Sequence, residues 1–379
     1  MKHPLLLAGL LAFSSGCNTE KTTEMTVPSV TYSFLVGTYT DEANQGINQL
    51  DFTPSENKLE VQTIFPGIQN PSFVLATAAG DKVFSLEEID HVQGGNIVSL
   101  SRSSQNDSLT KLSQVPSFGD HPCYLALSPD EAFLTVANYS GGSLSAYQIG
   151  GNGELAHIQT IQHEGSSVNK SRQNAPHVHS TVFSPDGKFL LAADLGTDQI
   201  YVYGFDATAK EPLSLNNTFK AQPGDGPRHL VFSSDGSEIF AVEELTAVLE
   251  IFDFKEGKLT PKQRISLIAD DYEGEVGAAE VRISPDGKNI YASNRGDANS
   301  LSVFSKKDDG SYSLIQQTSC GGIMPRNFNL TADGKYLLSA NQASNDIVVF
   351  ERDVETGKLT QTSWKVKVNK PVYLFRLNS

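Results

Sequence analysis

Cysteine is scarce in this 379-residue chain, and the 3 Cys form neither a CxxC pair nor a Cys/His cluster. That excludes a structural zinc site and a disulfide framework, so the fold must rest on its core. Positive charge is in deficit: 29 Lys+Arg against 44 Asp+Glu give a formal net charge of -15 at pH 7. A phosphate backbone would be repelled over most of such a surface, which argues against nucleic acid as a partner. No stretch beyond the N-terminal leader is apolar enough to span a bilayer. GxSxG, HExxH, Walker and EF-hand strings are missing as well, so a covalent serine route, a zincin and nucleotide use lack support, and neither metal nor cofactor is expected. What remains is 39% hydrophobic residues, 31 Gly against 17 Pro and no long biased segment, the make-up of a soluble globular protein.

Residues 1–17 have the layout of a secretory signal: Met1-Lys2-His3, an apolar run from Leu5 to Phe13, then Ser14-Ser15-Gly16-Cys17. Small residues directly before a Cys resemble the bacterial lipoprotein processing site, with Ser14 where an aliphatic residue is usual. The resemblance implies that Cys17 is acylated and becomes the new N-terminus, anchoring the protein to a membrane of the cell envelope by lipid alone. Residues 18–30 are polar, lack periodicity and read as a tether. Residues 31–379 form the folded domain.

Within that domain one pattern recurs about every 50 residues: an apolar strand, a tight turn, a second apolar strand ending in Asn, Asp or Glu, then a third strand. The turns are Ser128-Pro129-Asp130, Ser184-Pro185-Asp186-Gly187, Ser233-Ser234-Asp235-Gly236, Ser284-Pro285-Asp286-Gly287 and Thr331-Ala332-Asp333-Gly334, with Thr77-Ala78-Ala79-Gly80 a worn copy. Six residues before each turn lie the first-strand starts Pro71, Pro122, Val178, Pro227, Ala278 and Pro325, and a seventh falls at Pro371. The chain stops after that seventh strand, whereas Tyr32 to Gly37 reads as a second strand with no first. One unit is therefore split between the termini, and joining them closes a ring. The expected fold is all-β: a seven-bladed β-propeller of four-stranded antiparallel blades. The only Trp, Trp364, precedes Lys365, which disfavours a WD-repeat or Trp-packed quinoprotein ring.

In such a meander the first strand begins, and the second strand ends, at one mouth of the central channel. The residue closing the second strand is polar in every copy (Glu87, Asn138, Asp194, Glu243, Asn294, Asn341) and is expected to serve the blade's own backbone. The next residue follows no repeat rule: Glu88, Tyr139, Leu195, Glu244, Arg295, Gln342. The second residue of the first strand runs Ser72, Cys123, His179, Arg228, Ala279, Arg326, Val372. His179, Arg228, Glu244, Arg295 and Arg326 are thus predicted to converge on one mouth, with His177, His229 and Glu280 as neighbours. Arginine and histidine gathered in an acidic protein point to an anionic or carbonyl-rich ligand. The competing reading is that these arginines pair with Glu244, Glu280 or Glu243 and staple adjacent blades. His157 and His163 are expected to be solvated or packing residues, and His91 and His121 are left open. An insertion at 163–176, rich in Ser, Asn and Gln, could form a polar flap over the mouth. Cys123 and Cys320 are expected across the channel from one another, too far apart for a disulfide.

At Val36-Gly37-Thr38-Tyr39, Pro176-His177-Val178-His179-Ser180, Gly226-Pro227-Arg228-His229, Glu243-Glu244-Leu245, Ser293-Asn294-Arg295-Gly296 and Pro325-Arg326-Asn327-Phe328 the chain resembles the seven-bladed propeller lactonases. That family includes propeller-type 6-phosphogluconolactonases and, more distantly, carboxy-cis,cis-muconate cyclases. The resemblance implies a lactone hydrolase acting on a small, anionic lactone. It implies catalytic roles for His179, Arg228, Glu244 and Arg295 and substrate contacts from His177, His229 and Arg326. His179 would be the base by intrinsic pKa, Arg228 and Arg295 would hold the oxyanion or the substrate's anionic group, and Glu244 would orient His179 or act as base if a dry site raised its pKa. Glu243 replaces the family's usual Asn and is expected to add a carboxylate near the site. An exported enzyme would rarely meet a phosphorylated, cytoplasmic lactone. A non-catalytic envelope propeller that binds a sugar acid or a protein, and a muconate-type cycloisomerase, are the rival readings; the oligomeric state is left open.

Overall fold

A computed structural model describes Met1 and residues 29–90, 94–269 and 271–378. The leader, Cys17 and His91 lie outside the described residues. The described chain forms seven four-stranded antiparallel sheets arranged as blades around a channel, with the short 3-10 turn Pro54–Glu56 the only helical element among them. Each blade runs in chain order from the channel outward, except the first. There Pro371–Arg376 lies innermost and pairs with Tyr32–Thr38, followed by Gly46–Thr53 and Lys58–Pro66. The ring closes through the register Phe34 to Arg376, Leu35 to Phe375 and Val36 to Leu374.

The expected first-strand starts are met at Pro122, Val178, Pro227, Ala278, Pro325 and Pro371. The exception is the worn copy, whose strand begins at Val74 rather than Pro71. Asn70, in a left-handed conformation, turns the chain there, and the Pro71 carbonyl accepts instead from Thr38 of the neighbouring blade.

The recurrent turns work by one device. A Ser or Thr hydroxyl donates to the Asp two residues on (2.5–2.8 Å at Ser128, Ser184, Ser233, Ser284 and Thr331) and accepts from the backbone N–H five residues on. The fourth position needs positive φ, supplied by Gly187, Gly236, Gly287 and Gly334 at 67–72° and by Glu131 in the blade that lacks Gly. Alternate apolar residues of each blade pack against the next. Between the last blade and the split one, Phe34, Val36, Leu50, Phe52 and Leu374 meet Leu338, Ala340, Ile347 and Val349, all fully buried.

Cys123 and Cys320 are both free and buried, but they do not face each other. Cys123 looks into the channel, whereas Cys320 packs between blades against Tyr291, Phe328 and Phe350 and donates to the Gly322 carbonyl. The discrepancy arises because Cys320 precedes its blade's first strand, in the connection from the outer edge.

Candidate active site

Two backbone features, repeated around the ring, aim side chains at the same mouth. The first is a register shift at the second residue of the innermost strand, seen at Cys123, His179, Arg228, Ala279 and Arg326, and opposite Gly37 and Thr38 at Val372. A bulge leaves that residue unpaired and turns its side chain out of the ladder, a common device beside active sites. The second is a hydrogen bond from the N–H just past the second strand to the chain entering the first strand. It occurs in all seven blades, at Tyr39, Glu88, Tyr139, Leu195, Glu244, Arg295 and Gln342 (2.8–3.1 Å). The backbone there is fixed by the repeat, and only the side chain varies.

The strand-ending polar residues do serve the backbone. Asp194 accepts from the N–H of His177, Gly196 and Thr197, Asn294 accepts from Gly277, and Asn138 donates to the Ser117 carbonyl. Glu243 breaks this rule. It is fully buried, neither carboxyl oxygen has a partner among the described residues, and burial together with Glu250 and Asp225 pushes its pKa well above the ordinary value. The expected extra carboxylate is therefore absent from the mouth, because Glu243 turns into its own blade as a neutral acid.

The mouth opens into a chamber of about 230 Å³ lined by Tyr39, Glu88, Tyr139, His179, Glu244 and Arg295, together with Cys123, Arg172 and Arg326. Beneath it lies a cell of about 10 Å³, bounded among others by Ser72, His179, Arg228 and His229, room for about one water. Glu244 is the hub. Its Oε1 accepts from Arg172 at 2.6 Å, and its Oε2 lies 2.9 Å from Arg228 Nε, 3.0 Å from Arg295 Nη2 and 3.9 Å from His179 Nε2. Against the upward push of burial, Arg295, Arg228 and Arg172 hold its carboxyl well below the usual carboxylate range. A carboxylate whose two oxygens are occupied by three guanidiniums is placed to hold them rather than to take a proton. His179 is buried, and burial followed by Arg228, His229 and Arg326 pushes its pKa well below 6.5, so it is neutral at pH 7 with an imidazole nitrogen free to accept a proton.

Arg228 is 1% exposed and largely committed: Nη1 donates to the Ala279 carbonyl and to His229 Nε2, while burial, Arg295 and Arg326 pull its pKa down to about 9, still cationic at neutral pH. A guanidinium only donates, so His229 carries its proton on Nδ1, 3.3 Å from Glu280 Oε2. Burial and then Arg228 lower His229 to about 4, whereas against burial Arg282 and His229 hold Glu280 near 2. His229 thus forms the floor. His177 does not line the chamber; it stacks against Tyr139 at 4.5 Å, and its Nδ1 donates to the Tyr139 carbonyl at 3.0 Å. The stapling reading holds for Arg172, Arg228 and Arg295, which share Glu244. It fails for Arg326, which has no carboxylate or other acceptor in bonding range among the described residues and lies over the Tyr39 ring at 5.5 Å.

Tyr39, Glu88, Tyr139, Cys123 and Arg172 belong to the chamber although sequence reasoning did not select them. Tyr39 follows the second strand of the split blade, so completing the comparison around the ring would have found it; its hydroxyl donates to Glu88 Oε1 at 2.8 Å. Arg172 comes from the 163–176 insertion and is the residue of it that borders the chamber. The insertion is pinned by buried Gln173, which donates to Asp198 and the Leu195 carbonyl, and by buried His163, bonded at 2.8 Å to both Asp194 and Tyr203. His157 is exposed and His121 lies outside the chamber. Among the described residues no group of three or more His, Cys, Asp or Glu is placed to hold a metal ion.

Comparison with known proteins agrees with this geometry. The profile described as "Lactonase, 7-bladed beta-propeller" matches residues 33–375. A Formosa agariphila protein named 6-phosphogluconolactonase is 33% identical over 88% of this chain and 96% of its own, and a Bacillus subtilis protein of the same name is 27% identical over 90% and 97%. Among solved structures, the periplasmic gluconolactonase of Pseudomonas aeruginosa superposes with a TM-score of 0.86 at 32% identity, covering 92% of this chain and 99% of that one.

Proposed function

Because the chain belongs to the seven-bladed β-propeller lactonase family and is a lactone hydrolase of the 6-phosphogluconolactonase-like kind, we propose that it opens a sugar-acid lactone bearing an anionic or strongly polar group at the arginine-lined mouth. The observation that carries this reading is Arg326. Its neighbours Arg172, Arg228 and Arg295 are bound to Glu244, but its own donors have no protein acceptor among the described residues and face the chamber. A half-buried guanidinium in that state favours a ligand that supplies oxygens.

In the proposed reaction, neutral His179 takes a proton from a water in the small cell as the water oxygen attacks the lactone carbonyl carbon. The carbonyl oxygen becomes an oxyanion facing Arg295 and Arg326. Collapse of the tetrahedral species breaks the ring C–O bond, and the proton returns from His179 to the departing alkoxide, leaving a hydroxy acid. Burial and the surrounding arginines disfavour the imidazolium, so His179 releases its proton readily. Glu244 holds Arg228, Arg295 and Arg172 in place rather than reacting.

The same reading puts the propeller in the bacterial cell envelope, tethered through acylated Cys17. It is supported by the leader and by the periplasmic location in the name of the Pseudomonas aeruginosa relative, and loss of lipid labelling in Cys17→Ser would be its check. The substrate reading is tested with purified protein on phosphorylated and unphosphorylated aldonolactones in oxygen-labelled water. Hydrolysis places solvent oxygen in the product carboxylate, whereas a cycloisomerase does not. His179→Ala and Arg326→Ala should each lower kcat by roughly a hundredfold or more, far from additively. Folded wild-type protein inert on the whole panel, or variants with unaltered turnover, would refute it.

A further inference from the structure

The channel does not run open from mouth to mouth. Inside the ring Phe73 stacks on Tyr373 with ring centroids 3.8 Å apart and lies tilted against Tyr124 at 4.4 Å, and all three side chains are largely shielded from solvent. Beyond this plug, at the face of the Ser-Asp turns, lies a separate chamber of about 590 Å³. Tyr373 is the one residue whose walls it shares with the cell beneath the active site.

Two guanidiniums border this chamber. Arg282 donates through Nη2 to Tyr373 Oη at 3.3 Å and more distantly to Glu280 at 3.5 Å, and its buried Nε has no partner among the described residues. Glu280 is meanwhile engaged by His229 and by the Asn327 amide. Arg376 donates only to the carbonyls of Leu330 and Thr331 and has no carboxylate within ion-pair range among the described residues. Burial, and then the like charge of Arg282, lower the Arg376 pKa. Two guanidiniums on the wall of one concave space, one of them with no carboxylate partner among the described residues, suit an anion lying between them. The remaining wall includes Val231, Phe232, Ile283 and Phe375, apolar surface that an inorganic ion would leave uncovered, together with Asp235 and with Glu238, whose carboxylate is paired with Lys262 and Lys306.

We propose that this chamber is a second binding site, separate from the lactone mouth, that takes a small organic carboxylate with an apolar body. The carboxylate sits between Arg282 and Arg376, and the body lies on the Phe232 and Phe375 side. The site is independent of the catalytic reading, since no residue assigned to lactone opening borders it.

Titration calorimetry with phenylacetate, phenylacetamide and inorganic phosphate tests it. Phenylacetate should bind saturably at one site, and phenylacetamide and phosphate at least tenfold more weakly. Arg376→Gln should weaken phenylacetate at least tenfold, while Arg326→Ala at the other mouth leaves it unchanged. Should Arg376→Gln disturb ring closure, Ser234→Trp, on an exposed turn at the chamber rim, fills the space instead and should abolish binding with the melting temperature preserved. The proposal is overturned by absence of saturation, by equal binding of the amide or of phosphate, or by loss of binding in Arg326→Ala but not in the chamber variants.

Discussion

Glu243→Gln separates two adjacent glutamates that the fold treats in opposite ways. Glu244 is ionised by three guanidiniums, whereas Glu243 is enclosed by its blade with no partner for either oxygen among the described residues. Burial first, then Glu250 and Asp225, raise its pKa well above 4.5, so the folded protein keeps a proton that the unfolded chain releases. The stabilisation from this group is therefore complete below about pH 4.5 and is lost as pH rises toward the folded value. Within that window the loss runs at about 1.4 kcal/mol per pH unit, so as pH rises above 4.5 the wild type should lose stability steadily relative to Glu243→Gln until the raised folded value is reached. His179 and His229, both lowered by burial, act in the other direction, their contribution disappearing as pH falls below 6.5. They are common to both proteins and cancel in the difference. The unpartnered amide of the variant adds an offset that does not depend on pH, so the slope carries the test. Urea unfolding of both proteins at pH 5, 6 and 7 gives that slope directly. A difference that stays flat, or one that favours the wild type more strongly toward pH 7, would show Glu243 ionised and paired, and the argument would fail.

Deleting residues 371–379 removes the innermost strand of the split blade and uncovers Phe34, Leu35 and Val36, each fully buried. At about 1.5–3 kcal/mol per buried large side chain the lost burial rivals the stability of a whole domain, and the truncated protein should be insoluble; a soluble truncation with unchanged melting temperature would break the ring model. Arg172→Ala should leave the melting temperature within a few degrees, because Arg172 is 41% exposed and lies on the insertion rather than in a blade, yet raise KM on a responsive lactone by about tenfold; steady-state kinetics showing an unaltered KM would remove the flap from substrate binding. Cys123 and Cys320 should resist a thiol reagent in the native state and both react after denaturation without reductant, since burial pushes Cys320 up to about 11 and Cys123 higher still; rapid native labelling of Cys123 would mean the chamber floor is open.

Much of this arrangement was legible because the propeller repeats. Once Ser-Pro-Asp-Gly turns set the frame, the second position of each inner strand could be read across blades, and the bulges occur at those positions. The same comparison separated Asp194 and Asn294, which serve the backbone, from Glu244 and Arg295, which line the chamber, although Arg295 also donates to the Gly277 and Ala278 carbonyls. It could not assign Arg172, because an insertion has no counterpart in the other blades and its path depends on Gln173 and His163 finding partners far along the chain. Nor could it tell Glu243 from Glu244 by charge. Their protonation is decided by burial and by side chains that other segments bring in, Glu250 and Asp225 around one and the arginines around the other. His177 misled for a different reason: it lies two residues before His179 but ahead of the strand, which begins at Val178, and the register shift between Val178 and Ser180 that turns His179 toward the chamber does not include it.

Dividing one blade between the two ends of the chain gives the molecule a polarity. Tyr32 begins its strand beside the Asp333 turn, and Arg376 ends its own against Leu330 and Thr331, so both ends emerge at the face opposite the arginine mouth. Anything attached ahead of Tyr32 or after Arg376, whether a lipid, a tag or a solid support, holds the propeller like a dish with its bowl turned outward. With lactone opening at the arginine mouth as proposed, substrate would arrive from the open side and the hydroxy acid leave into it, while the plugged chamber looks back toward the point of attachment.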